Sequence, residues 1–323
     1  CLVLGGGSGG LAMARRAARY GARVAIVEGR DLGGTCVNRG CVPKKIMWNA
    51  AQVADAQKDA LSYGFSAVLP RFEWRRFRDA REAEIARLRG IYAASLEREG
   101  VRWLRGWGTL RPSTNGAARF VVEVNGESFS TEHLVLATGG EPHVPEFAGA
   151  DLGLSSDGFF ELEEQPASAI VVGGGYIAVE TAGVLAALGT RVTLAFRRPT
   201  ILQGFDAMLG ERLAQAMQDG GVEFVPGFDP RELRRVGDAL ELTGADGRTL
   251  STAGVVFWGT GRTPRTRGLG LEALGVELDA RGFVRTDEFE NTTTPGIFAV
   301  GDITGKKELT PVAIAAGRKL ADR

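Results

Sequence analysis

A glycine-rich turn between a short apolar run and a helical pattern occurs twice in this chain and restricts the folds that it can adopt. The first turn, GGGSGG at 5–10, follows the apolar residues 1–4 and precedes a helical pattern and a second apolar run that ends at Glu28. The second turn, GGGYIA at 173–178, has the same kind of neighbours. Each predicts a strand–turn–helix–strand unit that binds a dinucleotide, and two such units are stronger evidence than one.

The predicted fold is therefore α/β, with two Rossmann-like dinucleotide-binding domains of three-layer ββα character, the second inserted in the first. We expect residues 1–140 to form the first domain and residues 141–262 the second, because EPHVPEFAGAD at 141–151 is rich in Pro and Gly, as a linker is. Residues 263–323 are predicted to return to the first domain.

Composition excludes several classes of protein. Lys plus Arg and Asp plus Glu both number 39, so the basic excess of a nucleic-acid or membrane-surface binder is missing. No apolar run reaches the roughly 18 residues of a membrane span. Three cysteines are too few for a secreted disulfide scaffold and favour a reducing, cytoplasmic location.

The first glycine-rich turn suits a dinucleotide with free ribose hydroxyls. Gly5, Gly7 and Gly10 follow the pattern that lets the backbone approach a pyrophosphate at a helix N-terminus. Glu28, at the end of the next predicted strand, can accept hydrogen bonds from ribose, as FAD or NAD requires. The alternative is a tight turn that binds no ligand.

The second turn suits a phosphorylated ribose. Its pattern is Gly173, Gly175 and Ala178, and Arg197 and Arg198 stand where the acid would be. An acid would repel a 2′-phosphate, whereas guanidinium groups bind it. The first unit is therefore assigned to FAD and the second to NADP, unless the two arginines are only solvated loop charges.

Two of the three cysteines lie close together, at Cys36 and Cys41 in GGTCVNRGCVPKK. A metal site needs about four ligands, and with only two histidines in the chain no metal is expected. A purely structural bridge would close a very short loop and gain little. A redox-active disulfide is favoured, because Gly40 and Pro43 can supply the distorted turn that it needs and a strained bridge is labile.

Cations close to the cysteines in sequence are expected to favour thiolate over thiol. They are Arg39, Lys44 and Lys45. With a flavin and a nicotinamide already inferred, electrons would pass from the nicotinamide to the flavin, then to the disulfide, and then to a substrate.

Six motifs together resemble the pyridine-nucleotide disulfide oxidoreductases, and within them the glutathione reductases. They are GGGSGGLA, GGTCVNRGCVPKK, LATGG, GGGYIAVE, GTGRTP and GIFAVGD, and the resemblance extends over essentially all 323 residues. It implies an enzyme that uses FAD and NADPH to reduce glutathione disulfide. It also implies a homodimer in the full-length protein, with no nucleic-acid or membrane partner.

The resemblance implies a role for each of five catalytic candidates. Cys36 is similar to the thiol that attacks the substrate disulfide, and Cys41 to the thiol that lies near the flavin. Lys44 and Glu180 resemble the ion pair beside the reactive nitrogen of the flavin. Tyr176 resembles the ring that covers the flavin until the nicotinamide displaces it, although core packing is the alternative for this residue.

Further positions match the family's binding sites. Those for FAD are Gly5, Gly7, Ser8, Gly9, Gly10, Glu28, Gly34, Thr35, Gly108, Thr138, Gly139, Asp302 and Thr310. Those for NADPH are Gly173, Gly175, Ile177, Arg197, Arg198 and Gly261. Those for the disulfide substrate are Ser8, Ala12, Arg15, Tyr92 and Arg318. Two arginines in the last set would pair with the carboxylates of glutathione, unless they are ordinary surface charges.

Related activities stay open as alternatives: a trypanothione-like or dihydrolipoyl dehydrogenase-like reductase, or a non-catalytic flavin-binding fragment. Ala12 and Arg15 stand where trypanothione enzymes carry a bulky aromatic residue and an acid, and Lys44 stands where dihydrolipoyl dehydrogenases usually have Ser. Gln203 replaces an Arg that often contacts the 2′-phosphate. The family's C-terminal dimerisation domain, which supplies a His–Glu general acid, is absent from this chain, so we do not expect the chain alone to turn over a disulfide.

Overall fold

A computed structural model describes residues 1–66, 71–113 and 119–323, and these divide into two compact units. Unit 1 consists of Cys1–Val42, Glu82–Glu141 and Thr263–Arg323, and unit 2 of Pro43–Arg81 and Pro142–Arg262.

The predicted α/β class is confirmed, since helices alternate with parallel strands. The helices are α1 (Ser8–Arg19), α2 (Gly34–Asn38), α3 (Cys41–Ala60), α4 (Trp74–Arg98), α5 (Ser156–Glu161), α6 (Tyr176–Ala187), α7 (Ala207–Asp219) and α8 (Thr310–Ala321). Short 3₁₀-helices occupy Leu61–Tyr63, Ala150–Leu152, Glu272–Leu274 and Asp302–Thr304. Within the ranges that the structure describes, we find no helix with the length and apolar character that crossing a membrane requires.

The strands belong to several sheets. The first nine are β1 (Leu2–Leu4), β2 (Ala25–Glu28), β3 (Arg102–Arg105), β4 (Gly108–Pro112), β5 (Phe120–Val124), β6 (Glu127–Thr131), β7 (Leu134–Leu136), β8 (Gly140–Pro142) and β9 (Leu154–Ser155). The others are β10 (Ser168–Val172), β11 (Arg191–Phe196), β12 (Glu223–Pro226), β13 (Pro230–Val236), β14 (Ala239–Gly244), β15 (Thr249–Thr252), β16 (Val255–Trp258), β17 (Arg262–Pro264) and β18 (Ile297–Ala299).

Unit 1 is built on a parallel sheet with the strand order β18-β7-β1-β2-β3. The buried strand β1 lies at its centre and leads through the glycine-rich turn into α1 and β2, as the sequence predicts. Because parallel strands end at the same edge of a sheet, the segments that follow β1, β2, β7 and β18 lie along one edge. That edge is where a doubly wound sheet binds its ligand.

A smaller antiparallel sheet, β4-β5-β6, also belongs to this unit. The β5–β6 connection is a hairpin turn at Asn125 and Gly126, and an Asn-Gly pair is a sequence signal for such a turn. Both residues have positive φ, 51° and 83°, which is the backbone geometry that favours an Asn-Gly pair in a two-residue hairpin turn.

Unit 2 repeats the plan with a parallel sheet in the order β12-β11-β10-β16-β9 and an antiparallel sheet β13-β14-β15. The second predicted strand–turn–helix–strand motif is also confirmed: it consists of β10, α6 and β11. Its central strand β10 is buried along Ala169–Val172, as expected of a parallel strand covered on both faces.

The segment 43–81 belongs to unit 2, whereas the sequence-based division put it in the first domain. Met47 and Trp74 pack in the apolar core of unit 2, and the buried guanidinium of Arg81 donates to the carbonyl oxygen of Phe160 at 2.6 Å. These contacts join residues far apart in sequence, so no local pattern indicated them. The assignment of one cofactor to each predicted domain stays a prediction.

Helix α1 packs directly against α8 within unit 1. A Cβ atom on Gly317 would lie 2.4 Å from the carbonyl oxygen of Gly9, so the two backbones approach too closely for a side chain. This contact brings the helix that starts at the glycine-rich turn against the helix that follows β18.

Replacing Gly317 with Ala is therefore expected to lower the free energy of unfolding by about 1–3 kcal/mol through overpacking. The matched change is Gly90→Ala in α4, where an added Cβ would meet nothing within 4 Å. That variant is expected to gain up to about 1 kcal/mol, because Ala is the better helix former. Urea denaturation of both variants measures the difference, and equal stability would contradict the close approach of α1 and α8.

Candidate functional site

The glycine-rich turn of unit 1 is tight on one side and open on the other. Gly5 has φ +108°, and a Cβ there would lie 2.2 Å from the carbonyl oxygen of Ala137. A Cβ on Gly10 would lie 2.0 Å from the carbonyl oxygen of Gly5. A Cβ on Gly7 would meet only the Cα of Gly34, at 3.8 Å. The space next to Gly7 and the amide end of α1 therefore fit a pyrophosphate.

A cleft of about 350 Å³ opens beside this turn. Its walls include Glu28, Gly29, Trp107, Gly108, Thr138 and Arg265. The carboxylate of Glu28 accepts hydrogen bonds from the backbone N–H groups of Gly6 and Arg30, both at 2.7 Å. Its position at the end of β2 is fixed by these bonds, and the cleft has the polar and apolar walls that the ribose and adenine of FAD require.

Trp107 is a wall of this cleft that the sequence analysis did not single out. Its ring lies so close to Gly29 that a Cβ there would be 2.5 Å from ring atom Cδ2. The guanidinium carbons of Arg30 and Arg265 lie 5.9 and 5.5 Å from the ring centroid. An aromatic residue within RGWG was the available sequence signal, but its partners come from distant segments.

Other residues predicted to contact FAD lie where neighbouring strands of the same sheet end. Thr138 and Gly139 follow β7, and the hydroxyl of Thr138 donates to the carbonyl oxygen of Arg265 at 2.7 Å. Asp302 begins the 3₁₀-helix after β18, and Thr310 is the first residue of α8. Their contacts with a cofactor stay predictions.

The two cysteines lie on different helices, with a break between them. Cys36 is in α2, whereas Cys41 is the first residue of α3. The chain turns at Gly40, where a Cβ would lie 2.9 Å from the carbonyl oxygen of Thr35. The Sγ of Cys41 lies 3.6 Å from the hydroxyl of Thr310. The structure holds both cysteines as thiols, the reduced form of the predicted pair.

The pKa of the Cys36 thiol is raised above its ordinary value. The main cause is its hydrogen bond with Cys41, and burial adds to it, while a hydrogen bond with Thr310 opposes the rise. The expectation that cations nearby in sequence would favour the thiolate is therefore wrong for Cys36 in this form. The neighbouring thiol and burial determine the direction of the pKa shift.

The segment that carries Cys36 touches the first glycine-rich turn. The N–H of Gly33 donates to the carbonyl oxygen of Gly6 at 2.8 Å. A Cβ on Gly34 would lie 2.6 Å from the Cα of Gly7. Helix α2 thus begins at the place where a bound pyrophosphate would lie, and Thr35 next to it is exposed.

The turn of unit 2 has the same design. Gly173 has φ +134°, and a Cβ there would lie 2.3 Å from the carbonyl oxygen of Gly259. A Cβ on Gly175 would meet nothing within 4 Å, whereas Ala178 is buried against Gly259. Gly173 is therefore the tight position, Gly175 the open one and Ala178 the packed one. They correspond to Gly5, Gly7 and Gly10 in unit 1.

The residues predicted to bind NADP surround this second turn in different ways. Arg197 and Arg198 directly follow β11 and are exposed, so their guanidinium groups are accessible to a phosphate. Gly261 is exposed with φ +111°, and Ile177 is half-buried on α6. Gln203, the departure from the family pattern, is exposed.

Lys44 and Glu180, predicted as an ion pair, do lie together within unit 2. The Nζ of Lys44 is 3.0 Å from the Oε1 of Glu180. Tyr176 is the first residue of α6 and is 47% exposed, so core packing does not explain it. The catalytic roles of the three side chains stay predictions.

The residues predicted to bind the substrate lie on three helices of unit 1. Arg15 on α1 makes a two-pronged ion pair with Glu99, with distances of 2.8 and 2.9 Å. Tyr92 on α4 is half-buried, and Arg318 on α8 is exposed. Because a carboxylate already binds Arg15, a substrate carboxylate would have to share it, whereas Arg318 is directly accessible.

No group of three or more His, Cys, Asp or Glu side chains that could hold a metal ion is found in residues 1–66, 71–113 and 119–323.

Comparison with known proteins matches the chain over its whole length. The sequence model of a family described as "Pyridine nucleotide-disulphide oxidoreductase" matches residues 1–317. A protein of Yarrowia lipolytica named "Glutathione reductase" is 42% identical over 334 residues, which cover 100% of this chain and 71% of that protein. A "Glutathione reductase" of Schizosaccharomyces pombe is 42% identical over 330 residues, covering 100% of this chain and 70% of that protein.

The ion pair of Glu99 makes the free energy of unfolding depend on pH in the acid range. The hydrogen bond from Arg15, with a second from Arg19, lowers the pKa of Glu99 from about 4.5 to about 2. Its side chain is only 9% exposed. A lowered pKa in the folded state stabilises the protein above the unfolded value, and this contribution is lost as the pH falls from about 4.5 towards 2.

Glu99→Gln is therefore expected to lower the free energy of unfolding by about 1–3 kcal/mol at pH 7. The difference from the unsubstituted protein should shrink as the pH falls below the ordinary pKa of a glutamate. Glu97→Gln, an exposed position on α4, is the control and should change little. Thermal unfolding across this pH range measures both, and a pH-independent loss in Glu99→Gln would contradict the ion-pair explanation.

Proposed function

The chain belongs to the pyridine nucleotide-disulphide oxidoreductase family, and we propose that within it the chain acts as an NADPH-dependent flavoprotein that reduces glutathione disulfide. One observation carries the proposal. Cys36 and Cys41 lie together in unit 1, hydrogen-bonded to Thr310, on a segment that touches the glycine-rich turn for a dinucleotide.

The residues present fit both cofactors. FAD would supply two-electron chemistry between a nicotinamide and a disulfide. The open backbone at Gly7 and the amide end of α1 would hold its pyrophosphate, and Glu28 its ribose. In unit 2, Gly175 and the amide end of α6 would hold the pyrophosphate of NADPH, and Arg197 and Arg198 would bind its 2′-phosphate.

Cys36 is proposed to attack the substrate disulfide. Its thiolate forms a mixed disulfide with one half of the substrate, and the other half leaves as a thiolate that takes up a proton. Cys41 then attacks the sulfur of Cys36, which releases the second half and closes the Cys36–Cys41 disulfide. The disulfide returns to two thiols when it accepts two electrons and two protons.

The raised pKa of Cys36 has a consequence for this step. Only a thiolate is nucleophilic, so Cys36 needs a base to take its proton. The hydrogen bond with Thr310 stabilises the thiolate in part. The base is expected from the His–Glu pair that the resemblance implies for the full-length protein, which would then return the proton to the leaving thiolate.

The Lys44–Glu180 pair is proposed to lie beside the flavin. Both side chains are more than a third exposed, and a surface ion pair of this kind contributes only about 0–1 kcal/mol to stability. Stability alone therefore gives little reason for it, whereas a fixed positive charge can stabilise negative charge that develops on a nearby flavin. Tyr176 at the start of α6 has the exposure that a movable cover requires.

Substrate selection is proposed to depend on positive charge along α1 and α8. Glutathione disulfide is an anion, and Arg318 offers an exposed guanidinium to its carboxylates. Arg15 can bind a second carboxylate beside its partner Glu99 only at a cost, so we assign it the smaller contribution. Tyr92 and Ser8 would complete this surface.

We also propose that the full-length protein is a homodimer that acts in the cytoplasm. The homodimer follows from the family resemblance. The location is supported by the low use of cysteine, three in 323 residues, which suits a reducing compartment.

Replacing Cys41 with Ser in the full-length protein is expected to lower glutathione-disulfide-dependent NADPH oxidation by about a hundredfold or more. The mixed disulfide on Cys36 would then have no internal thiol to resolve it. Cys1→Ser, at the position directly before β1, is the matched control and should keep its activity. The fall in NADPH absorbance measures both variants, and full activity in Cys41→Ser would refute the mechanism.

A further inference from the structure

The last residue of α2, Asn38, is a buried hydrogen-bonding centre two positions after Cys36. It is 7% exposed. Its side-chain NH₂ group donates to the carbonyl oxygens of Gly34 at 2.8 Å, Leu32 at 3.1 Å and, more weakly, Asp31 at 3.4 Å. A single side chain therefore ties the end of α2 to the loop that precedes it.

A cation from a distant helix completes this arrangement. The Nε of Arg89 on α4 donates to the Oδ1 of Asn38 at 2.6 Å. The Nη2 of Arg89 lies 3.1 Å from the Oδ2 of Asp31. Arg89 thus binds both ends of the segment 31–38, and its planar guanidinium fixes the direction of each bond. We call Asp31, Asn38 and Arg89 the α2 clamp.

The clamp acts on the segment that places Cys36. The same segment rests on the glycine-rich turn through the bond from Gly33 to Gly6. Cys36 faces Cys41 closely enough for a hydrogen bond between the two thiols. Cys41 lies beyond the break and is outside the clamp, so the position of one sulfur relative to the other depends on how firmly α2 is held.

We propose that Asn38 and Arg89 are positioning residues that set the reduction potential of the Cys36–Cys41 pair. This inference rests on the function proposed above. Holding α2 keeps Cys36 next to Cys41, which raises the effective concentration of one thiol at the other and favours the disulfide over two separate thiols. Loosening the clamp should make the disulfide easier to reduce.

The equilibrium that reports this effect is exchange with glutathione. The protein disulfide reacts with two glutathione thiols, its S–S bond breaks, and the S–S bond of glutathione disulfide forms. The two glutathione protons pass to the two protein thiols, so two electrons and two protons move together. The ratio of reduced to oxidised glutathione at which half of the pair is oxidised gives the equilibrium constant.

The test uses the full-length holoprotein and the variants Arg89→Ala and Asp31→Asn. Each protein is equilibrated in glutathione buffers of different ratio, its thiols are trapped by alkylation, and mass spectrometry measures the oxidised fraction of Cys36 and Cys41. Arg87→Ala is the matched control: it removes the same charge from α4, but Arg87 pairs with Glu84 on the helix surface. Asp31→Asn keeps the shape of an exposed side chain and so preserves folding.

Arg89→Ala should lower the equilibrium constant for disulfide formation about tenfold, which is about 30 mV for two electrons. Asp31→Asn should lower it about threefold, and Arg87→Ala should leave it unchanged. Arg89→Lys should restore part of the loss, because it keeps the charge near Asp31. A fall of threefold or more in Arg89→Ala, not seen in Arg87→Ala, supports the proposal. A smaller fall, a rise, or an equal change in both would overturn it.

Failure of this inference is distinct from failure of the proposed function. If the unsubstituted protein forms no Cys36–Cys41 disulfide in any glutathione buffer, the proposed function is wrong, and the inference that rests on it falls with it. If that disulfide forms and Arg89→Ala forms it equally well, the function stands and the clamp is only structural.

Discussion

The contact between the loop before α2 and the first glycine-rich turn is the constraint on which the function of unit 1 depends. Gly33 donates to Gly6, and Gly34 approaches Gly7 so closely that a Cβ on Gly34 would lie 2.6 Å from the Cα of Gly7. The turn that would hold a pyrophosphate and the helix that carries Cys36 are therefore held together by direct backbone contacts. A redox-active thiol is useful only at a fixed distance from the group that reduces it, and this contact helps to fix that distance.

The electrostatics of the cysteine pair differ from those expected from the sequence, and the fold gives the reason. Cations near in sequence act through space only if the fold turns them towards the sulfur, and burial beside a second thiol opposes them. The pKa of Cys36 is therefore raised in the reduced form. A reductase built in this way holds its nucleophile protonated until the base of the His–Glu pair takes the proton, which limits unwanted reaction of the thiol.

Local patterns predicted much of the fold and of the site, and long-range contacts account for what they missed. The two strand–turn–helix–strand units, the Asn125-Gly126 hairpin and the Lys44–Glu180 contact all follow from short motifs or from a strong family resemblance. Trp107 and Arg89 were not predicted, because the residues that they contact lie in other segments of the chain. Arg89 is 51 positions from Asn38, and nothing in either neighbourhood indicates the bond between them. For the same reason the membership of residues 43–81 in unit 2 was not predictable.

In the proposed function, electrons from NADPH reach an anionic disulfide through Cys36 and Cys41. The most direct test is NADPH oxidation by the full-length protein with glutathione disulfide, trypanothione disulfide and lipoamide in parallel. We expect rapid oxidation with glutathione disulfide alone, because Arg318 and Arg15 favour an anionic substrate. Rapid oxidation with the cationic or the neutral disulfide instead would contradict the assignment of the substrate, and none with any of the three would contradict the function itself.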